Sequence, residues 1–176
     1  MFVRKLMTVS FILVGMTSSV CIAANQGSGK VTMTGSIIST PCALSPESID
    51  QSVSLGQVMG TVLLEANGSG KSTPRNFSID LENCDVIGSN SVSVTFSGVE
   101  GKDGRLGISG TANGASIAFT DGSGEVIKVG QPSKNFSLQS GNNTLPFSVY
   151  LQGDGIPGNI RAGDYQAMAD FTMSYQ

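Results

Sequence analysis

The stretch GDYQAMADFTMSYQ, residues 163–176, carries the most regular alternation in the chain. Tyr165, Ala167, Ala169, Phe171, Met173 and Tyr175 share one parity. Gln166, Asp170, Thr172 and Ser174 share the other, with Met168 the one exception. A period of two with an apolar and a polar side marks a half-buried strand, and Gly163 opens it. Upstream, Phe77, Ile79 and Leu81 alternate with Ser78, Asp80 and Glu82 in a strand over residues 76–84, and Val92, Val94 and Phe96 repeat the pattern. Ile117 and Phe119, then Val126, Ile127 and Val129, flank an Asp121-Gly122-Ser123-Gly124 turn and read as a strand pair. Residues 145–151 form a further strand, with Pro146 expected near its start because proline brings no N–H to a ladder. Val53-Ser54-Leu55-Gly56 reads as a short strand, residues 44–48 as a loop, and residues 57–66 as either helical turns or an irregular crossing. About seven short strands, in a chain rich in Gly, Ser, Thr, Asn and Val, predict an all-β, immunoglobulin-like sandwich.

With the chain ending at Gln176, no strand follows the last one, so its partner is expected to come from elsewhere. An apolar edge strand aggregates unless something pairs with it, and an extended segment of another chain can do so through main-chain hydrogen bonds. A spare strand stands at the other end. In KVTMTGSIIST, residues 30–40, Val31, Met33, Gly35 and Ile37 fall on one parity and Lys30, Thr32, Thr34 and Ser36 on the other. Gly27, Ser28 and Gly29 precede it and Pro41 follows. Gly35 weakens this strand unless another surface comes close there. The alternation identifies a strand and leaves open whose sheet it joins.

The chain opens with Arg4-Lys5, an apolar run over residues 6–16 and small residues up to Ala23-Ala24, the plan of a secretory signal peptide. The run is shorter than the roughly 20 residues that cross a bilayer. The expected organisation is a signal peptide over residues 1–24, cleaved after Ala23 or Ala24, an arm over residues 25–40 and one domain over residues 41–176. The net charge is −3, and loss of Arg4 and Lys5 makes the exported chain more acidic. That balance argues against nucleic acid or an anionic membrane surface as partner. Two cysteines remain after cleavage, Cys42 and Cys84. In an exported chain such a pair reads as a disulfide, and a loop of about 40 residues gives roughly 4 kcal/mol in the chain-entropy picture.

No catalytic or metal site emerges. Histidine is absent, which removes the Ser-His and Cys-His nucleophiles and the usual zinc sets. Ser69-Gly70-Lys71-Ser72-Thr73 ends like a phosphate loop, but the position that needs the first glycine is Glu65. Asn67, Asn76, Asn135 and Asn142 each begin an N-x-[ST] triplet, as a Ser- and Thr-rich chain does by chance. Glu82 with Asp85 and Glu100 with Asp103 are near neighbours in sequence, and solvated loop charges account for them. No cofactor is expected.

Taken in order, the alternating arm with its glycine, Pro41-Cys42, Val53-Ser54-Leu55-Gly56, residues 77–84, Gly163 fourteen places from the end and the penultimate Tyr175 resemble a chaperone–usher fimbrial subunit, a pilin of the P-type or type 1-like kind. The resemblance covers the whole exported chain. It implies an incomplete immunoglobulin-like sandwich, completed by a donor strand from a neighbouring subunit or from a periplasmic chaperone. It further implies that Val31, Met33, Gly35 and Ile37 enter a neighbour's groove. The acceptor edge would be Gly163, Tyr165, Phe171, Met173 and Tyr175, with the Gln176 carboxylate held by the chaperone. Cys42 and Cys84 match the family's disulfide positions. The implied function is a structural fimbrial subunit, delivered through chaperone and outer-membrane usher to the cell surface and polymerising by strand exchange, most like a rod-forming major subunit. A minor adaptor pilin and a self-contained carbohydrate-binding module are the alternatives.

Overall fold

The computed structural model of the chain describes residues 28–35, 37 and 41–176. It divides into two compact units, residues 1–36 and residues 37–176. In the first, residues 28–35 are exposed and carry no regular secondary structure. The strand expected over residues 30–40 is therefore not formed in its described part; an alternating segment becomes a strand only when a neighbour supplies the ladder. The expected signal peptide, residues 1–24, lies outside the described residues.

The second unit begins with β1 (Ala43–Leu44) and a short helix α1 (Pro46–Ile49), followed after residues 50–59 by α2 (Gly60–Gly68). Then come β2 (Arg75–Cys84), β3 (Ser91–Gly98), β4 (Leu106–Gly107), β5 (Ser109–Gly110), β6 (Ala115–Asp121), β7 (Val126–Ile127), β8 (Phe136–Ser137) and β9 (Gly141–Gly153). The chain closes with β10 (Tyr165–Gln166) and β11 (Ala169–Tyr175). One sheet has the order β1-β2-β9-β6-β4, with β7 also on β6; a second is β11-β3-β8; and β10 pairs β5. All these ladders are antiparallel.

The core lies between the two main sheets. Ile79, Leu81, Val92 and Val94 are fully buried. Phe96 of β3 stacks on Phe119 of β6 at 4.4 Å between ring centres and meets Phe147 of β9 edge-on at 5.2 Å. Aromatic pairs of this geometry are worth about 0.5–1.5 kcal/mol beyond the area they bury. Phe77 of β2 joins them, 6.1 Å from Phe96. Cys42 and Cys84 form a disulfide beside the β1–β2 ladder, with both residues buried. The β2–β9 register shifts between Leu81 and Cys84, where Asn83 adopts φ 52°, a bulge that turns the strand end toward its bridge.

Four sequence readings of this unit need correction. Residues 44–48, read as a loop, hold the end of β1 and three residues of α1, which opens with Pro46 in its first turn. Residues 53–56 are in no ladder, because no strand among the described residues lies along them. Pro146 is the sixth residue of β9, not near its first; the β6 ladder starts only at Phe147, so Pro146 lacks its N–H where no strand requires one. Its ring fills the space beside Gly122, where an added Cβ would come within 2.8 Å. The final stretch is two strands, since the alternation breaks at Ala167-Met168, where Met168 turns out to solvent. Residues 57–66, left undecided by the sequence, fall largely within α2. That helix ends where Ala66, Asn67 and Gly68 take positive φ.

Candidate functional site

β11 is bonded along one edge, to β3. On that side Phe171 faces Phe96, Met173 faces Val94 and Tyr175 faces Val92. Gln176 completes the ladder, exchanging backbone bonds with Ser91 at 2.9 and 3.2 Å. Along its other edge no strand pairs with it among the described residues. Across from that edge runs the chain over residues 49–58, and between the two walls lies a groove.

Two adjoining cavities, about 600 and 760 Å³ in volume, make up the groove. They share Gln51, Val53, Leu55, Ile117 and Ala167 on their borders. The floor is the inner face of the sandwich, including Phe77, Ile79, Phe96 and Phe119. Its effect on β11 is visible in burial. Val92 and Val94 are sealed, whereas Phe171, Met173 and Tyr175, on the same face of the same sheet, remain partly exposed. An apolar, half-covered core beside an unpaired backbone edge has the shape of an absent strand.

Gly163 sits at the far end of the groove. A Cβ there would stand 2.5 Å from Thr111 Oγ1 and 2.6 Å from the Ala112 nitrogen, so only glycine allows this approach. The contact is fixed by Thr111 and Ala112 N–H groups, both donating to the Asp164 carbonyl. Tyr165 follows, half-buried, with a buried hydroxyl that has no hydrogen-bond partner among the described residues; burial pushes its phenol up. The Tyr175 phenol is likewise pushed up by burial, and its hydroxyl lies 3.8 Å from Met173 Sδ.

Gly163, Tyr165, Phe171 and Met173 thus fall on one groove, and Tyr175 and Gln176 continue the same edge beyond it. The arm residues have a different character. Val31, Met33 and Ile37 are 78%, 88% and 104% exposed, and beyond its chain neighbours no described residue lies within 4 Å of where a Gly35 side chain would be. Sequence reasoning missed the second wall: Ile49, Val53 and Leu55 line it, and their only signal was an alternation that reads equally well as a paired strand. Asp50, on the same wall, gave no signal at all.

A family model described as fimbrial protein matches residues 31–176. The Fimbria A protein of Serratia marcescens is 47% identical, with all of both chains covered. The major MR/P fimbria protein of Proteus mirabilis is 38% identical, again over 100% of both. Among solved structures, the P pilus rod subunit PapA superposes with a TM-score of 0.67 at 27% identity, covering 78% of this chain and 100% of that one. A chaperone–usher pilus studied for rod uncoiling gives 0.73 at 30% identity, covering 86% and 97%.

Proposed function

The chain belongs to the fimbrial protein family, and on that premise we propose that its groove is the seat of a neighbour's strand. The protein is a structural pilin rather than an enzyme. It is exported and assembled with other pilin subunits on the cell surface, as a chaperone–usher major subunit. In the proposed assembly, Val31, Met33, Gly35 and Ile37 of one copy lie in the groove of the next, against Tyr165, Phe171 and Met173. A periplasmic chaperone strand fills the groove first and holds the Gln176 carboxylate; at the outer-membrane usher the arm replaces it. No covalent bond changes.

One observation carries this reading: the free edge of β11 faces residues 49–58 across an apolar groove, while three large apolar residues of an alternating segment stand in solvent. Burying a Val, Met or Ile side chain yields about 1.5–3 kcal/mol each, so three give roughly 5–9 kcal/mol before any ladder bond is counted. The test is a variant lacking residues 25–40, supplied in trans with a peptide of residues 30–40. A rise in melting temperature that saturates with peptide is expected. An unchanged melting temperature at saturating peptide refutes the assignment of the groove.

A further inference from the structure

We propose that Lys30 sets the register of the incoming strand by seating between Asp170 and Asp50 on the rim of the next copy's groove, an inference that rests on the strand-in-groove reading above. Lys30 is the one charged residue between residues 25 and 40. The groove rim offers it a counterpart. Asp50 and Asp170 border the first cavity, whose lining contains no Lys or Arg. Neither carboxylate is in an ion pair among the described residues. The second cavity is bordered by Arg161 and Asp164, one charge of each sign.

The two carboxylates border the same cavity, Asp170 from β11 and Asp50 from the opposing chain. Asp170 adjoins Phe171, which faces Phe96, and the Phe96 ring is 6.1 Å from Phe77. Asp50 adjoins Gln51, whose side chain donates at 2.7 Å to the carbonyl of Ser78, next to Phe77. Both acids are exposed, as the polar side of an inserted strand would be. With Val31, Met33, Gly35 and Ile37 turned inward, Lys30, Thr32 and Thr34 turn outward, on the side of Asp170 and Thr172.

Parity and charge then do separate work. A slip of one residue would put the threonines in the groove, so the apolar face excludes it. A slip of two residues keeps the apolar face inward and is opposed only weakly by side-chain size. The ladders of this unit are antiparallel, and an antiparallel strand centred on the groove sets residue 34 opposite Met168 and Lys30 opposite Thr172. Asp170 is then the diagonal neighbour, about 7–8 Å away across the strands and within reach of a lysine. One two-residue step brings Lys30 directly opposite Asp170, and this is the register the charge pair selects over the centred one; a step the other way carries Lys30 roughly 7 Å further off and loses both acids. A parallel strand with the same centring would instead set Lys30 opposite Asp164, beside Arg161.

Zero-length carbodiimide cross-linking of fibres made from the full chain, read by peptide mass spectrometry, tests this. The expected product joins Lys30 of one copy to Asp170 or Asp50 of another, and Asp50→Asn with Asp170→Asn abolishes it. A link to Asp164, or to a carboxylate away from the groove, overturns the proposal. Fibre dissociation supplies a second measurement. Lys30→Gln should speed it about two- to fivefold at low ionic strength, with the effect fading near 1 M salt. The effect should vanish in the Asp50→Asn, Asp170→Asn background; additive effects there also overturn the proposal. A peptide of residues 30–40 that stabilises the arm-less variant equally well with Lys30→Gln at low salt sinks this inference alone, whereas a peptide that never stabilises it sinks the groove assignment.

Discussion

Ile37→Ala separates the stability of a subunit from the stability of its polymer. Ile37 is fully exposed, at 104%, so shortening it removes no contact in the single chain and should change subunit stability by less than about 0.5 kcal/mol. Seated in the groove, the same side chain is buried against an apolar floor, and truncation of a buried Ile to Ala costs about 2–5 kcal/mol. At roughly 1.4 kcal/mol per tenfold, a cost near 2–4 kcal/mol speeds strand release by about 30- to 1,000-fold. The assay heats purified fibres in detergent and follows monomer release over time, beside thermal melting of the subunit–chaperone complex. Ile87→Ala is the control, since Ile87 is 91% exposed and borders neither groove cavity. Fast release with an unchanged complex is expected for Ile37→Ala, and no change in either measurement for Ile87→Ala. Fibres of Ile37→Ala that dissociate at the wild-type rate refute the reasoning.

Replacing Cys42 and Cys84 together by serine should lower stability by roughly 4 kcal/mol, the loop-closure contribution of their bridge, seen as an earlier denaturant midpoint and poor periplasmic yield. Gly163→Ala forces the Thr111 hydroxyl, 2.5 Å away, and backbone at Ala112 and Thr111, 2.6 and 2.7 Å away, to move; about 1–3 kcal/mol of destabilisation is expected, with amide exchange rising first around residues 109–112 and 164–166. Asp121 should give a pH signature. Burial raises its pKa, but hydrogen bonds from Ser123 and Glu125, helped by the charge of Lys134, outweigh this and hold it below 3.8. Its stabilising contribution is complete above 3.8 and is lost as pH falls toward the lowered folded value. Asp121→Asn should therefore flatten the fall in denaturant midpoint below that pH, and an unchanged slope would contradict the assignment.

The strands that pack on both sides of the core were legible because burial imposes a period of two: residues 76–84 and the alternation around Val92, Val94 and Phe96 match β2 and β3 closely. Legibility failed where tertiary context, not local pattern, decides. Val53 and Leu55 alternate like a strand yet pair with no strand among the described residues, because hydrogen bonding depends on a neighbour that periodicity does not record. Pro146 stands inside β9 for a similar reason, as the end of the β6 ladder cannot be read from β9 itself. The polar rim was invisible: Asp50 and Asp170 are 120 positions apart and border one cavity only once the chain is folded.

The single-sided bonding of β11 bears on mechanics as well. A strand laid along that edge and pulled along its own axis is loaded in shear. All rungs then share the tension and must fail together, whereas a strand peeled from one end yields rung by rung. A filament jointed in this way resists a steady drag far better than the modest strength of any one rung would suggest.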